Sequence, residues 1–162
     1  MRSGRPDGGR LPAMSAFNAI LVACDGSDPS QRAVASAARM AAAENTPLIL
    51  LNVIREMQFP QALSRMAEVE RLVGTRSDVL QYVADKILKD AAEVAKKEGA
   101  RTVETTSATG DPATCIVDTA NEKGADLIVV GTRGLGGMAG ALLGSVSRKV
   151  SNIAEQNVLI VR

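Results

Sequence analysis

The residues best suited to chemistry are the glycines and the serine of a stretch that follows the apolar run 126–131. Two residues separate Gly131 from Gly134, and nine residues separate Gly134 from the adjacent Gly144 and Ser145. The apolar run predicts a strand, the glycines predict a loop, and the segment from Ser145 predicts a helix. A helix start presents unpaired N–H groups and a partial positive charge, while glycines reach positive φ and let a ligand approach the backbone. This order of strand, loop and helix therefore predicts an anion-binding site.

Two common phosphate-binding patterns fit this stretch poorly. A Walker A loop needs G-x-x-x-x-G-K-[ST], and no Lys stands beside the required Gly and hydroxyl here. A Rossmann match, G-x-G-x-x-[GA], exists at Gly134, Gly136 and Ala139. That motif belongs after the first strand of its unit and is trailed by an acid at the end of the next strand, whereas Glu155 falls in a predicted helix. The position late in the chain favours a different kind of nucleotide loop.

The composition removes several classes of site. None of the 162 residues is His, which excludes His-based catalytic triads, imidazole general bases and His metal ligands. Cys24 and Cys115 show no C-x-x-C spacing, so we expect ordinary thiols in a reducing compartment, the cytoplasm. A formal charge of +1 does not favour a nucleic-acid partner, and no apolar run of about 18 residues predicts a membrane span.

Apolar runs and helix signals divide the chain into alternating elements. Residues 1–14 predict a disordered tail or an upstream extension, and 15–162 predict one domain. Strands are predicted at five places: 17–24, 47–54, 101–108, 126–131 and 157–162. Helices are predicted after each of the first four strands, with an irregular connection over 55–73. This alternation predicts a parallel sheet with helices on both faces, a three-layer α/β/α domain.

Helix ends and faces follow from capping residues and from periodicity. Asp28 is expected to cap the first helix with Pro29 at its first position, and Asn45 to end it. The helix from residue 75 is expected to turn one apolar set inward: Val79, Tyr82, Val83, Ile87, Ala91 and Val94. The last helix is expected to do the same with Val146, Val150, Ile153 and Ala154.

The predicted topology brings three strand ends together. Asp25, Val53 and Gly131 each lie where a predicted strand ends or just beyond it. In open parallel sheets, ligands bind beyond the carboxyl ends of the strands, where the strand order reverses. We therefore expect one crevice formed by these three segments.

Motifs along most of the chain resemble the universal stress protein family. They are V-A-C-D-G-S, L-N-V-I, G-D-P, A-D-L-I-V-V-G and V-L-I-V-R, together with the G-x2-G-x9-G-S spacing of the ATP-binding members. The resemblance covers 17–162. It implies a five-stranded parallel sheet in the order 3-2-1-4-5, a Rossmann-like fold of the adenine nucleotide alpha hydrolase type. It also implies a homodimer formed through the strand at 157–162.

The resemblance also implies roles for individual residues. Asp25 would lie near the ribose and a divalent metal, Mg²⁺, and Val53 would offer its backbone to adenine. The ribose and the phosphates would contact Gly131, Arg133, Gly134, Gly144, Ser145, Val146 and Ser147. Ala23, Cys24 and Val130 would complete the pocket.

Plain structural roles remain open for several of these residues. The alternative for Asp25 is that it only starts the next helix turn, and Val53 is equally consistent with simple core packing. Cys24 either touches the base or is a small buried residue, and the second interpretation is favoured. Arg133 reaches either a phosphate or water, and the glycine loop has the alternative of an ordinary surface loop.

The leading functional hypothesis is a regulatory protein of the stress response that binds ATP or a related adenine nucleotide. One alternative is a slow ATP hydrolase or phosphotransferase, although no catalytic residue is evident in the motifs. The other alternative is a scaffold that keeps the fold without using the pocket. A regulatory protein partner is expected, and the sequence does not identify it.

Overall fold

The computed structural model describes residues 15–55, 76–133 and 143–162. In chain order the elements are β1 (Ile20–Ala23), α1 (Asp28–Glu44), β2 (Leu48–Ile54), α2 (Arg76–Lys97), β3 (Val103–Thr109), α3 (Pro112–Lys123), β4 (Leu127–Gly131), α4 (Ser145–Ile153) and β5 (Asn157–Val161). The five strands form one parallel sheet in the order β3-β2-β1-β4-β5, which confirms the predicted architecture. The expected tail at 1–14 lies outside the described residues. No helix in the described ranges is long and apolar enough to cross a membrane.

The central strands are apolar throughout because the sheet is covered on both faces. Along β1, Ile20 and Val22 pack under α1 and α2, while Leu21 packs under α3 and α4. All three of these side chains are almost fully buried. Continuous apolar runs are typical of parallel strands that lie between two helical layers. The observed burial therefore explains why β1, β2 and β4 do not alternate apolar and polar residues.

The first predicted strand begins later than its apolar pattern indicated. Residues 17–19 lie before β1, and the backbone N–H of Asn18 donates to the Asp126 carboxylate at 2.9 and 3.1 Å. The Asn18 amide group donates to the same carboxylate at 3.0 Å. The Asp126 carboxylate takes the place of a backbone carbonyl of a neighbouring strand as the acceptor. The segment is therefore bound to the residue before β4 without forming a strand.

The helix ends follow the predicted chemistry with one correction. The N-cap of α1 is Ser27, whose side chain accepts from the Ser30 N–H, and Asp28 is already helical. The prediction of Asp28 as the N-cap was therefore wrong, because the hydroxyl of Ser27, one residue earlier, caps the helix. Asn45 ends α1 in the left-handed region at φ 54, as predicted. In α3, Asp111 caps the start and Gly124 ends the helix at φ 65.

The buried face of α2 differs from the predicted one. Tyr82 is 72% exposed and Val83 is 48% exposed, so neither points into the core as expected. The buried residues of this helix are Ala84, Leu88, Ala91 and Ala95. Three of these four residues are alanine, and such small side chains allow close approach between packed helices. The prediction was correct for Ala91, which is buried, and for Ile87 and Val94, which pack against the same core.

The short helix α4 also buries less than its pattern indicated. Val150 is fully buried and Val146 packs against the same core, whereas Ile153 is 43% exposed. Ile153 is the last residue of a helix of nine residues. The inward orientation predicted for Ile153 was therefore wrong, whereas Ala154 packs against the core as expected.

Candidate functional site

A cavity of about 310 Å³ lies at the carboxyl ends of β1, β2 and β4. It is lined by eleven of the twelve residues that the sequence singled out: Ala23, Cys24, Asp25, Val53, Val130, Gly131, Arg133, Gly144, Ser145, Val146 and Ser147. The twelfth, Gly134, lies outside the described residues. The predicted crevice is therefore present as a space, and its ligand contacts stay predictions.

The turn after β1 is built around the carboxylate of Asp25. Its Oδ1 accepts from the N–H of Ser27 at 3.0 Å and from the Ser27 hydroxyl at 2.6 Å. The Asp25 N–H donates to the Ser30 hydroxyl at 3.1 Å, and Gly26 takes φ +82 between them. Asp25 thus shapes the turn and lines the cavity at the same time. The structural and functional interpretations of this residue are compatible.

Gly131 is required by packing against the start of α1. A Cβ added at Gly131 would lie 2.8 Å from the carbonyl carbon and 3.0 Å from the carbonyl oxygen of Pro29. Gly131 is not among the described glycines that have a positive φ. The reason for glycine at this strand end is therefore close backbone approach between β4 and α1.

Gly144 occupies the N-cap of α4 with an ordinary extended backbone. Its φ is −69 and its ψ is 165, a conformation that any residue adopts. Its N–H donates to the Thr132 carbonyl at 2.6 Å. That amide therefore has a backbone partner in this structure, and the contact expected between Gly144 and a phosphate stays a prediction. The left-handed backbone expected of the loop glycines is also absent at this position.

The start of α4 still presents backbone donors to the cavity. The first intrahelical bond runs from the Arg148 N–H to the Gly144 carbonyl at 3.1 Å. The amides of Ser145, Val146 and Ser147 precede that bond, so the helix itself gives them no acceptor. Such amides at the positive end of a helix bind anions.

The hydroxyl of Ser147 is engaged inside the protein. The Ser147 side chain is 3% exposed, and its hydroxyl lies 3.1 Å from both the Thr132 and the Gly144 carbonyl oxygens. A hydroxyl has one proton to donate, and at Ser147 that proton is donated to these carbonyl oxygens. The N-cap is Gly144, so no side chain caps the helix, and Ser145 is its first residue. For Ser147 the N–H remains as the group able to meet an anion.

Positive charge collects around this helix start. Arg55 and Arg133 line the cavity, and neither forms an ion pair with any described residue.

An adjoining cavity of about 420 Å³ is lined by Arg55, Asp111 and Lys149, among others. Lys149 donates to Asp111 at 2.9 Å. This hydrogen bond, with those from Thr114, lowers the pKa of Asp111 from 3.8 to about 2.

Cys24 is a buried residue of the cavity floor. Its side chain is 3% exposed, and burial, followed by the charge of Asp25, raises the pKa of the thiol from 9.0 to about 12. The thiol therefore stays protonated at neutral pH and is a poor nucleophile. The expectation of a small buried residue at this position is confirmed.

Sequence reasoning missed about half of the lining. The additional residues are Ser30, Leu51, Asn52, Ile54, Arg55, Leu80, Val83, Ala84, Ile87, Pro112 and Ile116. Most are apolar side chains of β2, α2 and α3 that form the walls. Asn52 carried a usable signal, since it is the single polar residue of the strand sequence LILLNVI. It is 6% exposed, and its Nδ2 donates to the Cys24 carbonyl at 2.6 Å.

The donor set suits a divalent cation only in the company of a phosphate. Among the described residues no three or more His, Cys, Asp or Glu side chains cluster as metal ligands. Asp25 supplies the one carboxylate among the described residues that line the 310 Å³ cavity. Mg²⁺ commonly takes one or two carboxylates together with phosphate oxygens and water. Asp25 therefore fits an ion that enters with a nucleotide.

Comparisons with known sequences point to a single family. The model of the universal stress protein family matches residues 16–162. Universal stress protein YxiE of Bacillus subtilis is 40% identical over 148 residues, covering 90% of this chain and 99% of that protein. Universal stress protein Rv1636 of Mycobacterium tuberculosis is 38% identical over 148 residues, covering 91% of this chain and 98% of that protein.

Solved structures give the same result at the level of the fold. A universal stress protein in complex with cAMP is 34% identical, with a TM-score of 0.65, covering 91% of this chain and 98% of that one. A universal stress protein from Archaeoglobus fulgidus in complex with dAMP is 25% identical, with a TM-score of 0.64, covering 89% of this chain and 97% of that one. On the family match, the identities and the shared strand order, the chain belongs to the universal stress protein family.

Proposed function

We propose that this protein binds an adenine nucleotide in the cavity at the strand ends, with ATP and Mg²⁺ as the physiological form. The observation that carries the proposal is the junction of a partly apolar cavity with the amino end of α4 and two arginines. The apolar part suits a base, and the helix start with its cations suits phosphates. The relatives solved with cAMP and with dAMP support this class of ligand.

The lining residues divide between the parts of a nucleotide. Val53, at the end of β2, would offer backbone groups to the base, and Asp25 would accept from a ribose hydroxyl. The amides of Ser145 and Val146 would meet the phosphates together with Arg133. Mg²⁺, when bound, would neutralise phosphate charge from the side of Asp25.

Binding fits the geometry better than rapid hydrolysis does. A hydrolase needs a base or a polar group that orients the attacking water. Among the described residues that line the cavity, Asp25 is the one carboxylate, and its Oδ1 already accepts from Ser27. We therefore propose a nucleotide-dependent regulator in the cytoplasm, in which occupancy of the cavity is read by a protein partner.

Calorimetric titration with MgATP, AMP, cAMP and NAD tests the proposal. We expect an adenine mononucleotide to bind more tightly than NAD. Ligand at about one hundred times its dissociation constant should stabilise the protein by about 2.7 kcal/mol, which a thermal shift detects. Preference for NAD, or no binding of any adenine nucleotide, would contradict the proposal.

Matched lysine and arginine variants locate the bound nucleotide. Arg133→Met removes a charge from the cavity and should weaken ATP binding more than adenosine binding. Lys123→Met removes a charge from the ion pair with Glu104, which lies outside the lining of the 310 Å³ cavity. Equal loss of ATP affinity in both variants would show that general charge, and not the cavity, governs binding.

A further inference from the structure

Asn52 is a buried amide on the floor of the cavity, at the end of β2. It is 6% exposed, it lines the cavity, and its flanking residues in the strand are Leu51 and Val53. Burying an amide without partners is unfavourable, because its polar groups lose their hydrogen bonds to water. The hydrogen-bond partners of this asparagine therefore determine which polar group it can present to the cavity.

The Cys24 carbonyl fixes the orientation of this amide. The distance from Asn52 Nδ2 to the Cys24 oxygen is 2.6 Å. A carbonyl oxygen only accepts, so the NH₂ end of the amide must face it, and a flipped amide would place two oxygens against each other. The side-chain oxygen is thereby held on the other side of the group, away from Cys24.

The side-chain oxygen of Asn52 has no hydrogen-bond donor among the described residues. Within that part of the chain, the one fully enclosed side-chain oxygen or nitrogen without a partner is Gln156 Oε1. Asn52 Oδ1 is therefore not sealed inside the protein. The small exposed part of Asn52 lies at the cavity that the residue lines. The cavity floor thus presents an oriented acceptor, with the second N–H of the amide beside it.

An acceptor beside a donor is the complement of adenine. The 6-amino group of adenine donates, and the ring nitrogen next to it accepts, which is why Asn and Gln pair with adenine in nucleic-acid recognition. Inosine and guanine carry a 6-oxo group in the same place, which only accepts. Pairing with them would require the flipped amide, and the Cys24 carbonyl opposes that flip.

Resting on the proposed function, we propose that Asn52 selects adenine over 6-oxopurines by accepting a hydrogen bond from the 6-amino group. The Cys24 carbonyl fixes the orientation of the Asn52 amide, so the side-chain oxygen of Asn52 faces the cavity and accepts from the base. Base selectivity thereby lies in a side chain of β2. It is separate from the phosphate contacts of α4 and Arg133.

The test compares AMP with inosine 5′-monophosphate, which differs from AMP in the 6-position and the adjacent ring proton. Wild type should bind AMP roughly tenfold to one hundredfold more tightly, the range expected of one well-oriented amide contact. In Asn52→Leu, which has a similar shape, that ratio should fall to within a few-fold of one. Equal affinities in wild type, or an unchanged ratio in Asn52→Leu, would overturn the proposal.

Two further measurements separate selectivity from folding and from phosphate binding. Arg133→Met should weaken both nucleotides by the same factor and leave the ratio intact. In Asn52→Leu the Cys24 carbonyl loses its hydrogen-bond donor, which can destabilise the protein. In that case Asn52→Ser provides a smaller polar replacement. In unmodified protein, the ¹⁵N signals of the Asn52 amide should shift with AMP, and no shift on binding would equally overturn the proposal. A wild type that binds neither nucleotide contradicts the proposed function itself.

Discussion

Gly131 and Pro29 meet so closely that a Cβ on Gly131 would lie 2.8 Å from the Pro29 carbonyl carbon. The obstacle is backbone at the start of α1, which a side-chain rotation does not relieve. Gly131→Ala should therefore destabilise the protein by about 1–3 kcal/mol, as is typical of overpacking. Urea denaturation measures the loss. Gly144→Ala is the comparison, since φ −69 accepts alanine and only a helix cap changes. Equal midpoints for wild type and Gly131→Ala would contradict the packing argument.

Gly144→Val should reduce nucleotide affinity at least tenfold while the protein stays folded. The backbone conformation at Gly144 suits valine, but a branched side chain at the N-cap would stand beside the amides of Ser145 and Val146. Calorimetry with MgATP gives the affinity, and circular dichroism checks the fold. Unchanged affinity in a folded Gly144→Val protein would remove this helix start from the site.

Turnover of ATP should be far slower than the ~10 s⁻¹ typical of enzymes. The described cavity lining offers Asp25 as its single carboxylate, and that group is held in a turn by Ser27. Phosphate release over several hours, measured with an ATPase-free preparation, gives the rate. A rate near the enzymatic median that Asp25→Asn abolishes would show that this carboxylate acts as a base.

The contribution of Asp111 to stability should disappear in acid. Hydrogen bonds from Lys149 and Thr114 lower its pKa to about 2, so the folded state favours the ionised form. That contribution is complete above the ordinary pKa of 3.8 and is lost as the pH falls toward 2. Asp111→Ala should cost about 1 kcal/mol at neutral pH through loss of the helix cap. The difference from wild type should shrink between pH 4 and pH 2 in urea titrations.

Two variants separate the cap from the ion pair. Asp111→Asn keeps a good capping side chain and loses the charge, while Lys149→Met removes only the partner. Both side chains are about half exposed, 51% each, so the pair itself should contribute at most ~1 kcal/mol. A larger effect of Lys149→Met than of Asp111→Ala would contradict the assignment of the stability to the cap.

The outer edge of β5 should pair with a second copy of the chain. β5 is the last strand of the sheet, and its apolar residues Val158 to Val161 are only half-buried. An apolar strand edge favours pairing, and an antiparallel match about a two-fold axis satisfies both copies. Light scattering at micromolar concentration should give a dimer. A monomer at that concentration would refute the expectation.

The hydrogen bonds of β5 identify the residue to substitute. The Asn157 N–H donates to Asp126 and the Val161 carbonyl accepts from Thr132, so this alternate set faces β4. Leu159 belongs to the same set, whereas Ile160 directs its N–H outward. Ile160→Pro should therefore give a folded monomer, while Leu159→Pro should disturb the β4–β5 ladder. A folded, dimeric Ile160→Pro protein would place the interface elsewhere.

The order of strands and helices was determined by local sequence pattern. Burial on both faces produces continuous apolar strands such as LILLNVI, and Asp111, Gly124 and Asn45 mark helix ends through groups only a few residues away. The carboxyl ends of parallel strands lie together for topological reasons, so the location of the cavity also followed. The glycine spacing contributed the prediction of its anion-binding end.

The partners of individual groups were decided by the tertiary structure. Glycine is required at position 131 because Pro29 lies against it, and the Gly144 N–H donates to the Thr132 carbonyl. The orientation of Asn52 depends on Cys24, 28 residues away. Periodicity reports which residues are buried, but it carries no information on which distant backbone group each one meets. For that reason the sequence located the cavity, while the folded chain determined which donors and acceptors face into it.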